Sequence, residues 1–287
     1  MKRINRYGIR SLERDFPNNE SCLNFIFNTL HKPICSCGGT FRLLTGYKKY
    51  QCSKCRFRIS PTANTIFHKS DTPLSLWFKA ILIFSNAKSG ISAKEMERQL
   101  EVTYKCAYRI LAQIRSALKQ SKEPLTGVVE MDSAYIGGRH YGGKNNEQLS
   151  RAMKKKSVVT IAVTRGGKIR AEVRPNVTAD EMEDFIMNNI SEGSNLMTDN
   201  AKGYDRVKGR YDLEKVNHGK GEYVRGKAHI NTIETWISHI KSSIRGTYKV
   251  ISKQHLQSYL DAFVFHYNNR YSDKGRFEVL LETLLHA

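Results

Sequence analysis

Residues 127–138, GVVEMDSAYIGG, decide how the second half of the chain is read. Val128, Val129 and Met131 mark a strand, with Asp132 near its end. Downstream, SVVTIAVTRGGKIRAEVRP (157–175) holds two β-rich runs around Arg165-Gly166-Gly167, the pattern of a hairpin. Thr178-Ala-Asp-Glu181 has capping-box spacing and opens the helix ADEMEDFIMNNI (179–190). SNLMTDN (194–200) is a short strand ending at Asp199, and LEKVN (213–217) is a fifth strand. INTIETWISHIKSSIR (230–245) is a helix stopped by Gly246. Ser252 caps the next, KQHLQSYLDAFVFHYNN (253–269), and RFEVLLETLL (276–285) closes the chain.

Three acids fall at particular places in this order: Asp132 on the first strand, Asp199 at the end of the fourth, Glu234 on a late helix. That is a ribonuclease-H-like arrangement, in which a mixed sheet brings two strand carboxylates together and a helix delivers a third. On that helix Ile233, Trp236, Ile237, Ile240 and Ile244 form one apolar stripe that should face the core. Glu234 and Lys241, two turns apart, project the same way. Glu234 can thus reach a site beside the sheet while Lys241 touches DNA. Three converging carboxylates repel one another unless cations neutralise them. Hard oxygen ligands suit Mg²⁺ or Mn²⁺, and two such ions can drive an in-line phosphodiester displacement. The bland alternative is three unrelated surface acids.

Upstream of this half, QSKEPLT (120–126) is a polar linker containing Pro124. Before it, LSLWFKAILIFSNA (74–87) is apolar nearly all round and reads as a buried helix. Ser92-Ala-Lys-Glu95 opens a second helix, and Thr103 caps a third, YKCAYRILAQIRSALK (104–119), after the tight connection EVT. Two helices so joined make a helix-turn-helix. Its second helix would present Tyr104, Lys105, Tyr108, Arg109 and Arg115 to the major groove or to phosphates. A plain three-helix bundle with solvated basic residues is the alternative.

Four of the six cysteines fall within CSCGGTFRLLTGYKKYQCSKCRFRIS (35–60). Cys35 and Cys37 form one knuckle, Cys52 and Cys55 a second, and strand-like FRLL and KKYQ lie between them. This is a zinc-ribbon pattern, in which one structural zinc on the four thiolates replaces a core too small to form alone. The C-x-C spacing is tighter than usual, so a ribbon with free thiols, recruiting His31, stays open. Cys22, in FPNNESCLNFIFNTL (16–30), reads as a small core residue on a helix.

With 287 residues the chain has room for two or three domains. Lys and Arg number 47 against 27 Asp and Glu, a net charge of +20. The first 126 residues hold 22 of those bases and 8 of those acids, so they carry +14. Such an excess points to a nucleic-acid partner. No apolar run reaches the roughly 18 residues of a membrane span, and the basic N-terminus lacks a signal-peptide core, so a cytoplasmic, nucleoid-associated protein is expected. The reading is an α+β multidomain chain: a helical lead-in (1–31), a zinc ribbon (32–60), a helix-turn-helix DNA-binding domain (61–120) and a ribonuclease-H-like catalytic domain (127–287).

At this point the chain resembles bacterial insertion-sequence transposases of the DDE superfamily, and within it the subgroup with an N-terminal zinc ribbon and helix-turn-helix before an ISXO2-like transposase domain. SPTANTIFHKSDTPLSLWF (60–78) and ISAKEMERQLEVTYKCAYRIL (91–111) carry the N-terminal likeness. MDSAYIGG (131–138), TDNAKGY (198–204), HINTIETWISHIKSSIRGTY (229–248) and YLDAFVFHYNNR (259–270) carry the rest. The resemblance implies that Asp132, Asp199 and Glu234 are the metal-binding triad, with Lys241 the basic residue seven further on. It also makes Asn231, one turn before Glu234, a candidate third ligand. It implies binding of the element's terminal inverted repeats and of target DNA, strand cleavage and joining, and a homo-oligomer on DNA. An inactive or domesticated DNA-binding copy is the alternative.

Overall fold

Alternating apolar runs and turn glycines in residues 128–216 build a five-stranded mixed sheet. The structure, a computed structural model, describes residues 6–44, 46–137, 156–216 and 229–287. The basic, glycine-rich stretch GRHYGGKNNEQLSRAMKKK (138–156) lies outside these, save for Lys156. The chain divides into two compact units, Met1–Leu118 with Asn269–Ala287, and Lys119–Asn268.

The first unit starts with α1 (Ile9–Asp15) and α2 (Asn19–Leu30). A small antiparallel sheet follows, made of β1 (Phe41–Leu43), β2 (Tyr50–Cys52) and β3 (Arg58–Ile59). Too little of it is apolar to form a core, and it leans on α2 through a 3.9 Å stack of Tyr50 on Phe27. Next come α3 (Leu74–Asn86), α4 (Ala93–Leu100) and α5 (Tyr104–Ala117). α3 is buried nearly all round, as its sequence requires. Ser92 and Thr103 cap α4 and α5 by accepting from the amides three residues on. Between the two helices Glu101 takes a left-handed conformation, φ 54°, which turns the chain in three residues.

The last helix of the chain packs in the first unit. Its Phe277 stacks on Tyr7, with ring centroids 5.2 Å apart, and lies 6.5 Å from Phe78 of α3. Arg276, fully buried, donates to the carbonyl of Ser85 at 2.8 Å.

This arrangement sets a test. Phe277, Leu280, Leu281 and Leu284 are all buried. At about 1.5–3 kcal/mol each, their burial is worth on the order of 6–12 kcal/mol, comparable to the whole stability of a domain. A fragment ending at residue 118 should therefore melt without cooperativity. The same fragment joined to residues 269–287 through a flexible linker should regain a sharp transition by circular dichroism. Equal melting of the two would show the last helix to be dispensable.

The second unit holds β4 (Val128–Ile136), β5 (Ser157–Thr164), β6 (Ile169–Arg174), α6 (Ala179–Asn189), β7 (Asn195–Asp199), β8 (Asp212–Val216), α7 (Asn231–Ser243) and α8 (Leu256–Asn268). The strand order is β6-β5-β4-β7-β8. β4 to β6 are antiparallel neighbours, whereas β7 and β8 join in parallel. The expected five strands, hairpin and Thr178 cap are present. Because side chains alternate along a strand, the sheet has two apolar faces. Val129, Met131 and Leu196 meet α6 and the 3₁₀ turn Lys202–Val207, while Ala134, Ile136 and Met197 meet α7 and α8.

Edge strand β6 is closed by side-chain amides. Gln257 accepts from the Val173 N–H (2.8 Å), and Asn268 both accepts from the Ile169 N–H (2.8 Å) and donates to the Ile169 carbonyl (3.1 Å). Gln120 does the same for Ala171. An open edge would otherwise template pairing with another chain. Gly246 does not stop α7: the helix passes into a π turn, Ile244–Tyr248, and ends at Lys249, whose φ is 65°. Among the described residues no helix is long and apolar enough to cross a membrane.

Candidate metal and nucleic-acid site

Asp132 and Asp199 lie on the neighbouring parallel strands β4 and β7. The register of that pair is offset by 67 residues throughout, from Val128↔Asn195 to Glu130↔Met197. Asp132 and Asp199 share the offset and stand two residues beyond the last pair. Alternation puts Asp132 with Glu130 and Ala134, and Asp199 with Met197, on the face covered by α7. Both are half-buried. The Ser133 amide donates to Asp132 Oδ1 at 2.7 Å, and the Ala201 amide donates to Asp199 Oδ1 at 3.2 Å. Tyr204, 1% exposed, lies behind the pair. Burial first, then the charges of Asp199 and Asp132, hold its phenol well above the ordinary range, so it stays neutral.

α7 crosses the same face. Its stripe of Ile233, Trp236, Ile237, Ile240 and Ile244 is buried against Ile161, Val163 and their neighbours, as the periodicity requires. Half-buried Glu234 sits in its first turn, exposed Asn231 at its first residue, and half-buried Lys241 two turns on. Asp132, Asp199 and Glu234 are not drawn into one tight cluster. Among the described residues, the one group of three or more such ligand atoms close enough for a single ion is the cysteine quartet.

One acid near this site escaped the sequence reading. Glu130, two residues before Asp132 on the same face of β4, is 0% exposed. It accepts from the amides of Thr232 (2.8 Å) and Ile233 (3.1 Å), from the Thr232 hydroxyl (2.9 Å) and from Arg165 Nε (2.7 Å). The N-cap of α7 is Ile230, which has no side-chain acceptor, so Glu130 supplies the cap from another element. Arg165 also donates from Nη2 to the His229 carbonyl at 2.7 Å. His229 Nδ1 stands 3.4 Å from Glu130 Oε1 without hydrogen-bond geometry, so this histidine belongs to the helix entry. An acid at a core position of a strand was the available signal.

In the first unit the thiols of Cys35, Cys37, Cys52 and Cys55 all lie within 4.8 Å of one another, with Cys37 and Cys52 3.4 Å apart and Cys35 and Cys55 3.7 Å apart. Tetrahedral zinc with bonds of about 2.3 Å spaces its sulfurs about 3.8 Å apart, so the quartet is compatible with a zinc site. A Cβ on Gly39 would stand 2.5 Å from Cys52 Sγ, which is why the tight first knuckle needs glycine there. Burial pushes the Cys52 thiol up. The amides of Cys55 and Lys54 and the neighbouring thiols outweigh this and bring it down to about 6.

On α5 the residues expected to face DNA separate into two groups. Tyr104 (51% exposed), Lys105 and Tyr108 (45% exposed) point to solvent, with the two tyrosine rings stacked at 6.2 Å. Arg115 does not: it is 5% exposed, because it follows Ile114 on the inward side of the helix near buried Leu111 and Leu118. Arg109 is also turned inward, donating to the Thr72 hydroxyl at 2.7 Å and lying 5.8 Å from the centroid of the Trp77 ring.

Fold and site together define a mixed α/β protein with two strand acids on one sheet face and a separate four-cysteine cluster. The chain belongs to the ISXO2-like transposase domain family, whose match covers residues 124–268, just over half of its length. It is 26% identical over 266 residues to a protein described as "Uncharacterized protein in transposable element ISH50" from Halobacterium salinarum, across 86% of this chain and 87% of that one. A chain of the simian T-cell lymphotropic virus intasome in complex with PP2A regulatory subunit B56 gamma is 10% identical at a TM-score of 0.30. That match covers 66% of this chain and 65% of the viral one. Family membership suggests nuclease or transposase activity, DNA as partner and use of a divalent metal.

Proposed function

We propose that the chain is a DDE transposase that binds the terminal inverted repeats of its insertion sequence and cleaves and joins strands with Mg²⁺ or Mn²⁺. The observation that supports this is that Asp132 and Asp199 lie on the neighbouring parallel strands β4 and β7, on the face crossed by α7, and share the 67-residue offset of the paired residues before them. Asp132, Asp199 and Glu234 would hold two divalent ions, which polarise the phosphodiester and activate the attacking oxygen. Glu234 is preferred to Asn231 because an anionic oxygen is the better hard ligand and because Asn231 is exposed at the helix start. Lys241 would hold a DNA phosphate as a point charge. The second unit is read as ribonuclease-H-like, β1–β3 with the four thiols as a ribbon holding one zinc, and α4 and α5 as a helix-turn-helix. The enzyme would act as a homo-oligomer on DNA. Incubating the full chain with Mg²⁺ and a terminal-repeat duplex tests the reading. Absence of cleavage with intact binding would favour the DNA-binding-only alternative.

Binding should be strongly salt-dependent, with each neutralised phosphate adding about −0.9 to the slope of log K against log salt. Lys105→Ala should flatten that slope by about one such step. Arg115→Ala should leave the slope unchanged and lower the melting temperature, because Arg115 is buried. A flatter slope in Arg115→Ala would return that residue to the DNA surface.

A further inference from the structure

We infer that Glu130 is a positioning residue for the active site, a tether that sets where α7 holds Glu234 relative to Asp132 and Asp199. The inference rests on the transposase reading above. Three observations carry it. First, Glu130 and Asp132 lie two residues apart on one strand face, so the strand that carries one proposed metal ligand also holds the helix that carries another. Second, the donors Glu130 meets on α7, the Thr232 and Ile233 amides and the Thr232 hydroxyl, come immediately before Glu234 in its first turn. Third, the hairpin turn joins the same knot, since Arg165 bridges Glu130 and the His229 carbonyl at the helix entry.

Glu130 is not itself a metal ligand in this geometry. Oε1 accepts from Arg165 and the Thr232 hydroxyl, Oε2 accepts from the two amides, and the side chain is sealed from solvent. A carboxylate suits the place because every partner is a donor and because the N-terminus of a helix favours negative charge. A glutamine has one acceptor oxygen. Whichever way its amide turns, the NH₂ group is set against other donors, so the first turn of α7 shifts or frays.

The test uses the full-length chain. Glu130→Gln should raise the Mg²⁺ concentration for half-maximal cleavage of a terminal-repeat duplex at least tenfold. Excess metal should restore much of the rate, and affinity for the duplex should stay within twofold. Hydrogen exchange over residues 229–240 should quicken in the variant, while the β5–β6 hairpin stays protected. A variant that was merely less stable would lose binding and cleavage together, and metal would not restore the rate. If Glu130→Gln does not fold, Thr232→Ala removes one donor of the four and should raise the metal requirement about threefold. A wild-type chain that cleaves, beside variants with its own metal requirement, overturns this inference alone. A wild-type chain without metal-dependent cleavage overturns the proposed function and this inference with it.

Discussion

Asp132→Asn and Asp199→Asn should each lower Mg²⁺-dependent cleavage of a terminal-repeat duplex by a thousandfold or more, with duplex binding close to that of the native chain. Each substitution keeps the shape of the side chain and removes an anionic oxygen that the proposed site would offer to a divalent ion. A thousandfold loss corresponds to about 4 kcal/mol of transition-state stabilisation, at about 1.36 kcal/mol per decade. Binding should survive because the exposed basic and aromatic residues of α5 lie in the other unit. Glu234→Gln should match the strand variants, and Asn231→Ala should cost far less. Lys241→Ala should chiefly weaken engagement of DNA ends. Full activity in Glu234→Gln with loss in Asn231→Ala would move the third ligand one turn back. Full activity in Asp132→Asn would end the two-metal reading.

The second large effect is expected at the four thiols. Purified protein should contain about one zinc per chain, and Cys52→Ser should release it. Residues 32–60 should then become open to limited proteolysis, because three short strands bury too little apolar surface to order themselves. Metal binding in such small modules supplies on the order of 10 kcal/mol of folding free energy. The rest of the first unit should stay folded, since its helices share the core around Phe78, Trp77 and Phe277. Gly39→Ala should weaken zinc retention without touching a ligand, because the added methyl would meet Cys52 Sγ. A metal-free protein with residues 32–60 protected from protease would refute the zinc assignment.

These two expectations draw on different kinds of information. The quartet could be read from cysteine spacing, whereas the need for glycine at position 39 arises only when the fold brings Cys52 against it. The two aspartates could be read as strand residues, but that their strands β4 and β7 are parallel neighbours is decided by the order of the sheet. Arg115 shows the opposite case. Its basic side chain suggested a DNA contact, yet the apolar stripe around Ile114 and Leu118 turns it inward.

What this sequence determined by itself is local. The residues at the starts of α4, α5 and α6, Ser92, Thr103 and Thr178, accept the amide hydrogens three positions on, because a side-chain oxygen of that length reaches nowhere else so well. The apolar stripe of α7 and the alternation in β4 to β7 fixed which faces must be covered. Tertiary structure decided what covers them. The final helix is amphipathic in any setting, and the aromatic pocket around Tyr7, Phe16 and Phe78, with the Arg276–Ser85 hydrogen bond, assigns it to the first unit rather than to the sheet that precedes it. Glu130 is the clearest example. A carboxylate in the middle of an apolar strand conflicts with the local pattern. It becomes stable only when Arg165, 35 residues away, and the amides of α7, more than 100 residues away, bring donors to it. No spacing rule within the chain announces that meeting, because burial of a charge is decided by which partners the fold delivers.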